Sequence, residues 1–206
     1  DETAKHIIAY IFDAWIRVMS PYTPFFAEEM WERIGGEGFV VNALWPKVEE
    51  ELYNAEAILA MEYTDRLIND IREIVRVQRR KPRKVTILVV KPNEYNELRK
   101  AIEYFELGKP MKDFVREYIS KAKDKRIAST KAVQLFKFVS TLPPQLRTLI
   151  MKTGIDEKNV IRELSDWIKV QIGAEIETYY YDEVKTYIKD KRKLPLPLKP
   201  AIYIEF

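Results

Sequence analysis

Apolar side chains recur at helical spacing through the first eighty or so residues, and beyond them the pattern changes. Ile8, Ile11, Phe12, Trp15, Val18 and Met19 form one stripe, which predicts a helix up to Met19. Pro21 and Pro24 end that helix and start another over 24–34, because proline is tolerated in a first helical turn and not inside a helix. Phe25, Phe26, Trp31 and Trp45 are expected on the buried side of this second helix, and Glu28 and Glu29 in its first turn, where carboxylates suit the dipole. A glycine-bearing loop at 35–38 follows. A long helix is then expected over 50–80, with Leu59, Tyr63, Leu67, Ile71, Ile74 and Val75 along one face. Lys81-Pro82 ends it, since the residue before proline disfavours a helical conformation.

The run Lys84-Val85-Thr86-Ile87-Leu88-Val89-Val90 is apolar on both faces and reads as a buried strand. Amphipathic segments follow at 94–105, 111–122, 130–141 and 157–171, with breaks at Gly108-Lys109-Pro110, Pro143-Pro144 and Gly154. Residues 173–181 alternate like a half-exposed strand, 194–200 reads as a proline-spaced extended linker, and 201–206 is a last strand. The fold class is therefore α+β: a helical bundle over 1–82 followed by a small α/β domain over 83–206.

Charge sharpens this division. The net charge of +3 conceals five Lys/Arg against fourteen Asp/Glu in residues 1–70, and thirty against eighteen in residues 71–206. The second part is suited to a polyanion. No cysteine and a single histidine exclude disulfides, thiol nucleophiles and a Cys/His zinc site. No apolar run reaches the ~18–20 residues that span a bilayer, so no membrane partner is expected. A charged fraction of 33% leans toward a thermophilic source.

The sharpest candidate site is Arg72, Arg76, Arg79, Arg80, Lys81, Arg83 and Lys84. On a continuous helix, 72, 76, 79 and 80 fall within about a 100° arc away from the apolar stripe. Such a cluster is either a solvated face or a phosphate-binding one, because arginine forks match phosphate oxygens. A second run, Lys121, Lys123, Lys125, Arg126 and Lys131, reads as a lysine-rich loop before a helix capped by Ser129 or Thr130. The run Lys189-Asp190-Lys191-Arg192-Lys193 reads as solubilising. Tyr179, Tyr180, Tyr181 and Tyr203 favour packing over base stacking. At the last strand, Ile204, Glu205 and Phe206 are expected to offer free backbone groups and a carboxylate to an unpaired base. Catalytic candidates fail: His6 has no nucleophile near it, Lys152-Thr153-Gly154 lacks a companion serine motif, and no glycine-rich phosphate loop is present.

The string from Met19 through Ser20-Pro21-Tyr22-Thr23-Pro24-Phe25-Phe26-Ala27-Glu28-Glu29-Met30-Trp31, closed by Leu44-Trp45-Pro46, resembles the anticodon-binding helical bundle of class Ia aminoacyl-tRNA synthetases. An isoleucine enzyme would often carry a cysteine-rich zinc segment and a valine enzyme a helical arm. The separate α/β module ending in Lys199-Pro200-Ala201-Ile202-Tyr203-Ile204-Glu205-Phe206 is similar instead to the leucyl-tRNA synthetases of the archaeal and eukaryotic-cytosolic type. The resemblance implies a piece of a longer cytoplasmic protein, whose HIGH and KMSKS motifs, editing domain, ATP and Mg²⁺ belong to parts absent from these residues. It implies no cofactor or catalytic site here. The expected partners are the upstream domains and tRNA-Leu, with the bundle on the tRNA body and the second domain on the long variable arm; no DNA partner is expected. A protein-docking appendage and a general RNA-binding module are the alternatives.

Overall fold

The computed structural model describes residues 2–47, 49–122, 124–184 and 194–206, and the chain forms two compact units, Asp1–Tyr53 and Asn54–Phe206.

In the first unit, α1 (Glu2–Met19) and α2 (Pro24–Arg33) are followed by short 3₁₀ turns at Val40–Asn42 and Glu50–Leu52. Its core is small: Ile16, Ala27, Trp31 and Val40, with Phe12, Met30 and Ala43 packed around them. Gly36 lies so close to the Trp31 indole that a Cβ there would stand 2.1 Å from the ring. The expected buried side of α2 is corrected. Ala27 and Trp31 face inward, while Phe25 is 91% exposed and Trp45 63% exposed. The cause is helical rotation, since Phe25 stands about 140° from the direction shared by Ala27 and Trp31. Glu28 and Glu29 also lie past the first turn. Glu28 Oε2 accepts the Val40 N–H at 3.1 Å, and Glu29 pairs with Arg33 at 2.8 Å.

The second unit begins with the long helix α3 (Ala55–Gln78), which starts later than expected because the Asn54 side chain accepts the Ala57 N–H and caps it. Then come β1 (Lys84–Val89), α4 (Tyr95–Glu106), α5 (Met111–Ser120), α6 (Lys125–Thr141), α7 (Pro144–Lys152), α8 (Glu157–Glu163), α9 (Ser165–Ile172), β2 (Glu175–Tyr180) and β3 (Ala201–Glu205). β1 is the middle strand, parallel to β2 and antiparallel to β3. One core joins Leu59, Tyr63, Leu67 and Ile71 of α3 to Val85, Ile87 and Val89 of β1, and to Leu98, Leu135 and Ile161 of the helical layer. The contacts therefore part at 53/54 rather than at the expected 82/83. The apolar stripe of α3 is the surface the sheet needs to bury, so the helix packs with the strand that follows it.

Three local expectations change. Pro143-Pro144 does not simply break the chain; Pro144 opens α7, where proline fits. The single segment expected at 157–171 is two helices meeting at Leu164. Residues 194–200 do not form an open linker. Leu196 and Lys199 bond each other in both directions at 2.9 Å, and Leu196 and Leu198 are buried in the main core.

Candidate nucleic-acid interface

The first basic cluster lies where α3 ends. Arg79 adopts φ 51, a left-handed conformation, and its N–H closes the helix on the Val75 carbonyl at 3.0 Å. Arg79 and Arg80 are thus off the helical face that carries Arg72 and Arg76, which corrects the single arc drawn from the sequence. The turn brings them elsewhere. The Arg83 N–H donates to the Glu205 carbonyl at 2.7 Å, and the Arg83 carbonyl accepts from the Glu175 N–H at 3.2 Å, so the ladder reaches back into the turn from both sides. Arg80 stacks its guanidinium 5.6 Å from the Phe206 ring centroid. The two candidate sets read separately from the sequence, 79–84 and 204–206, therefore form one corner of the sheet.

Carboxylates sort the cations at this corner. Lys84 pairs with Glu177 at 2.8 Å across β1 and β2, and this bond together with the Tyr179 hydroxyl holds the Glu177 carboxyl below its usual range. Lys169 pairs with Glu175 at 2.9 Å, which raises the lysine's pKa. Arg76 makes only a loose exposed contact with Glu73 at 3.5 Å. Arg72 donates to the Gln171 side chain at 2.7 Å and, among the described residues, pairs with no carboxylate. Among the described residues Arg79, Lys81 and Arg83 are exposed and form no ion pair. The terminal strand differs from expectation in one respect. The Glu205 carbonyl is already taken by Arg83, because β3 pairs with β1 up to its last residue, while the Glu205 side chain remains exposed.

The second run is less intact. Asp124 accepts the N–H groups of Arg126 and Ile127, so α6 starts at Lys125 and the expected loop is its first turn; Ser129 and Thr130 lie inside the helix. Lys125 and Arg126 are exposed at the positive end of this helix, where their own charge is unfavourable unless an anion is near. Lys131 is turned inward onto Glu94, with Glu97 at 3.5 Å, and is removed from the candidate surface by neutralisation. Lys121 shares Glu117 with Lys100 and the Tyr104 hydroxyl; these partners, Lys100 foremost, hold the Glu117 carboxyl down at about 2. Lys123 and the 189–193 run lie outside the described residues. The first corner lies at the Lys84 end of β1, and Lys131 of the second run reaches Glu94 beyond the Val89 end, a strand about 17 Å long at ~3.3 Å per residue.

Lys169 and Gln171 belong to the first corner without any local signal marking them: they are isolated polar positions in an amphipathic segment, placed there by α9 packing on α3. The tyrosines follow the packing expectation in part, with Tyr180 against the core and its hydroxyl on Asp156 at 2.8 Å. Among the described residues no group of three or more His, Cys, Asp or Glu is placed to hold a metal ion, and no helix is long and apolar enough to cross a membrane.

Residues 1–87 match the anticodon-binding domain of tRNA ligases, a unit that takes in both the small first core and α3. The chain is 38% identical over 206 residues to the leucine–tRNA ligase of Ignicoccus hospitalis, covering all of this chain and 19% of that protein. It is 32% identical over 206 residues to that of Pyrococcus furiosus (all of this chain, 20% of the relative) and 32% identical over 207 residues to that of Methanothermobacter thermautotrophicus (all of this chain, 21% of the relative). The chain spans about a fifth of the length of these curated relatives. Along its whole length the chain is similar to that fifth of each of these leucine–tRNA ligases, and its first 87 residues match the anticodon-binding domain of tRNA ligases.

Proposed function

We propose that this chain is the tRNA-gripping part of a cytoplasmic leucine–tRNA ligase, which joins leucine to tRNA-Leu with ATP and Mg²⁺ in domains outside these residues. This part contributes binding and orientation. The first unit rests on the tRNA body, and the second holds the long variable arm. The observation that carries this reading is the corner where Arg79, Arg80, Lys81 and Arg83 meet Ile204, Glu205 and Phe206. A duplex arm offers shape and phosphates, which the arginine turn suits, while unpaired bases at its tip offer edges and faces. Glu205 can accept from a guanine edge, and Phe206 with Arg80 presents a stacking surface. The corner at Lys125 and Arg126 extends the positive surface along the arm.

Binding of tRNA-Leu, with and without its variable arm, measured against salt tests this. Four to six phosphate contacts give a slope of magnitude roughly 3–5 in log K against log salt, at ~0.7–0.9 per contact. Deleting residues 204–206 is expected to cost affinity for the long-armed tRNA alone. Equal binding of both tRNAs by the intact and shortened chains would remove the variable arm from the proposal.

A further inference from the structure

Glu157, at the start of α8, is a carboxyl with no exposure to solvent. Its Oε1 accepts the Leu198 N–H at 2.7 Å and the Tyr95 hydroxyl at 3.0 Å. Its Oε2 and the Tyr63 hydroxyl are both buried without a partner at normal hydrogen-bond geometry, although the two side chains lie near enough to shift each other's titration. The groups that face Glu157 are Tyr63 of α3, Tyr95 of α4, Glu94 of the turn before α4 and the Leu198 amide. Arg99 lies near Tyr95 and donates to the Ile150 carbonyl and Asn96. Asp156 is engaged with the Tyr180 hydroxyl and with the first N–H groups of α8. Among the described residues no cation pairs with Glu157.

A carboxylate buried without a counter-charge is costly, whereas a neutral carboxyl can donate its proton from Oε2 to the Tyr63 oxygen and leave Oε1 as acceptor. Burial, against the opposing hydrogen bonds, pushes the group up to about 8. Leu198, on the other side of the contact, has φ 63, a conformation that L-residues avoid unless their surroundings impose it. Two things impose it: the Leu196–Lys199 turn and the bond to Glu157. Ala201 opens β3 three residues later.

We infer that Glu157 is a positioning residue for the nucleic-acid interface: by holding the Leu198 amide it fixes where β3 starts, and so where Ile204, Glu205 and Phe206 meet the 79–84 turn. Only the last step rests on the proposed function. Once ionised, the carboxylate is relieved by reaching water, which breaks the Leu198 contact and loosens the strand behind it.

Two measurements on the whole chain from pH 6 to 9.5 test this. Without RNA, the Leu198 amide is followed by ¹H–¹⁵N NMR and hydrogen exchange. In the native protein its protection is expected to fall with a midpoint near 8. Glu157→Gln, whose carbonyl accepts from Leu198 and whose amide donates to Tyr63, is expected to stay protected throughout. With tRNA-Leu, native affinity is expected to fall by about tenfold per unit above the midpoint, as a single linked proton requires, while Glu157→Gln stays flat. Identical Leu198 profiles in the two proteins overturn the inference, whatever RNA does. A Leu198 change that affinity does not follow overturns the positioning role. If neither protein binds tRNA at any pH, the functional reading fails, and the Leu198 profile alone decides whether Glu157 holds the turn.

Discussion

Arg79 carries a cost that a place at the proposed interface would explain. A non-glycine residue in the left-handed region is disfavoured by about 1–2 kcal/mol, and glycine is the usual solution at a helix C-terminus. Arg79→Gly is therefore expected to raise stability by about 0.5–1 kcal/mol, read as a higher urea midpoint at unchanged slope. The same change is expected to weaken tRNA binding and lower the salt slope by about one. A variant that is more stable with an unaltered slope would return Arg79 to the solvated surface. Glu117 gives a second residue-scale expectation. Its carboxyl, held to about 2 by Lys100, Tyr104 and Lys121, lies below its unfolded value of 4.5. Its contribution is thus fully present above 4.5 and lost as pH falls toward 2. A ¹³C NMR titration should place the midpoint near 2 in the native protein, and Lys100→Met should move it upward.

At the scale of elements, α3 belongs both to the matched anticodon-binding stretch and to the second compact unit. The anticodon-binding match runs through it to residue 87, while its apolar stripe is buried with β1. Leu67→Ala is expected to cost about 2–5 kcal/mol and to shift the unfolding of the sheet and the helical layer together. A loss confined to α3, seen as a separate early phase by far-UV circular dichroism, would contradict the shared core. This element also shows what the sequence could and could not reveal. The stripe from Leu59 to Ile71 and the apolar run of β1 were legible because burial imposes period and composition locally. That each is the other's cover was not, because nothing in a single pattern names its partner. The same holds at the candidate site. Runs of charge identified 79–84 and 121–131, yet Lys131 turned out to be neutralised by Glu94, which lies thirty-seven residues earlier in the chain. The helix starting at Lys125 depended on one aspartate cap, which outweighed the Ser129 and Thr130 signals.

For the molecule as a whole, the separation of charge along the chain bears on the proposed grip on tRNA. Acidic residues dominate up to Asp70 and basic ones beyond it. Salt dependence should therefore reside in the later part. Neutralising Glu49, Glu50 and Glu51 together is expected to strengthen tRNA binding by less than about tenfold in dilute buffer. Above ~0.15 M salt, where screening acts within about 8 Å, the gain should largely vanish. An equal gain at all salt concentrations would mean that these glutamates touch the RNA directly.

The middle position of β1 has a bearing on how the protein is made. Its antiparallel neighbour starts at Ala201, paired with Leu88, so more than a hundred residues must be synthesised before that edge is closed. At roughly 5–20 residues per second the nascent chain spends about 6–23 s with an apolar strand open to pairing with whatever else is near. Ribosome-bound forms ending before β3 should accordingly recruit chaperones and aggregate when freed, and the arginine turn acquires its terminal companion only as translation of this region finishes.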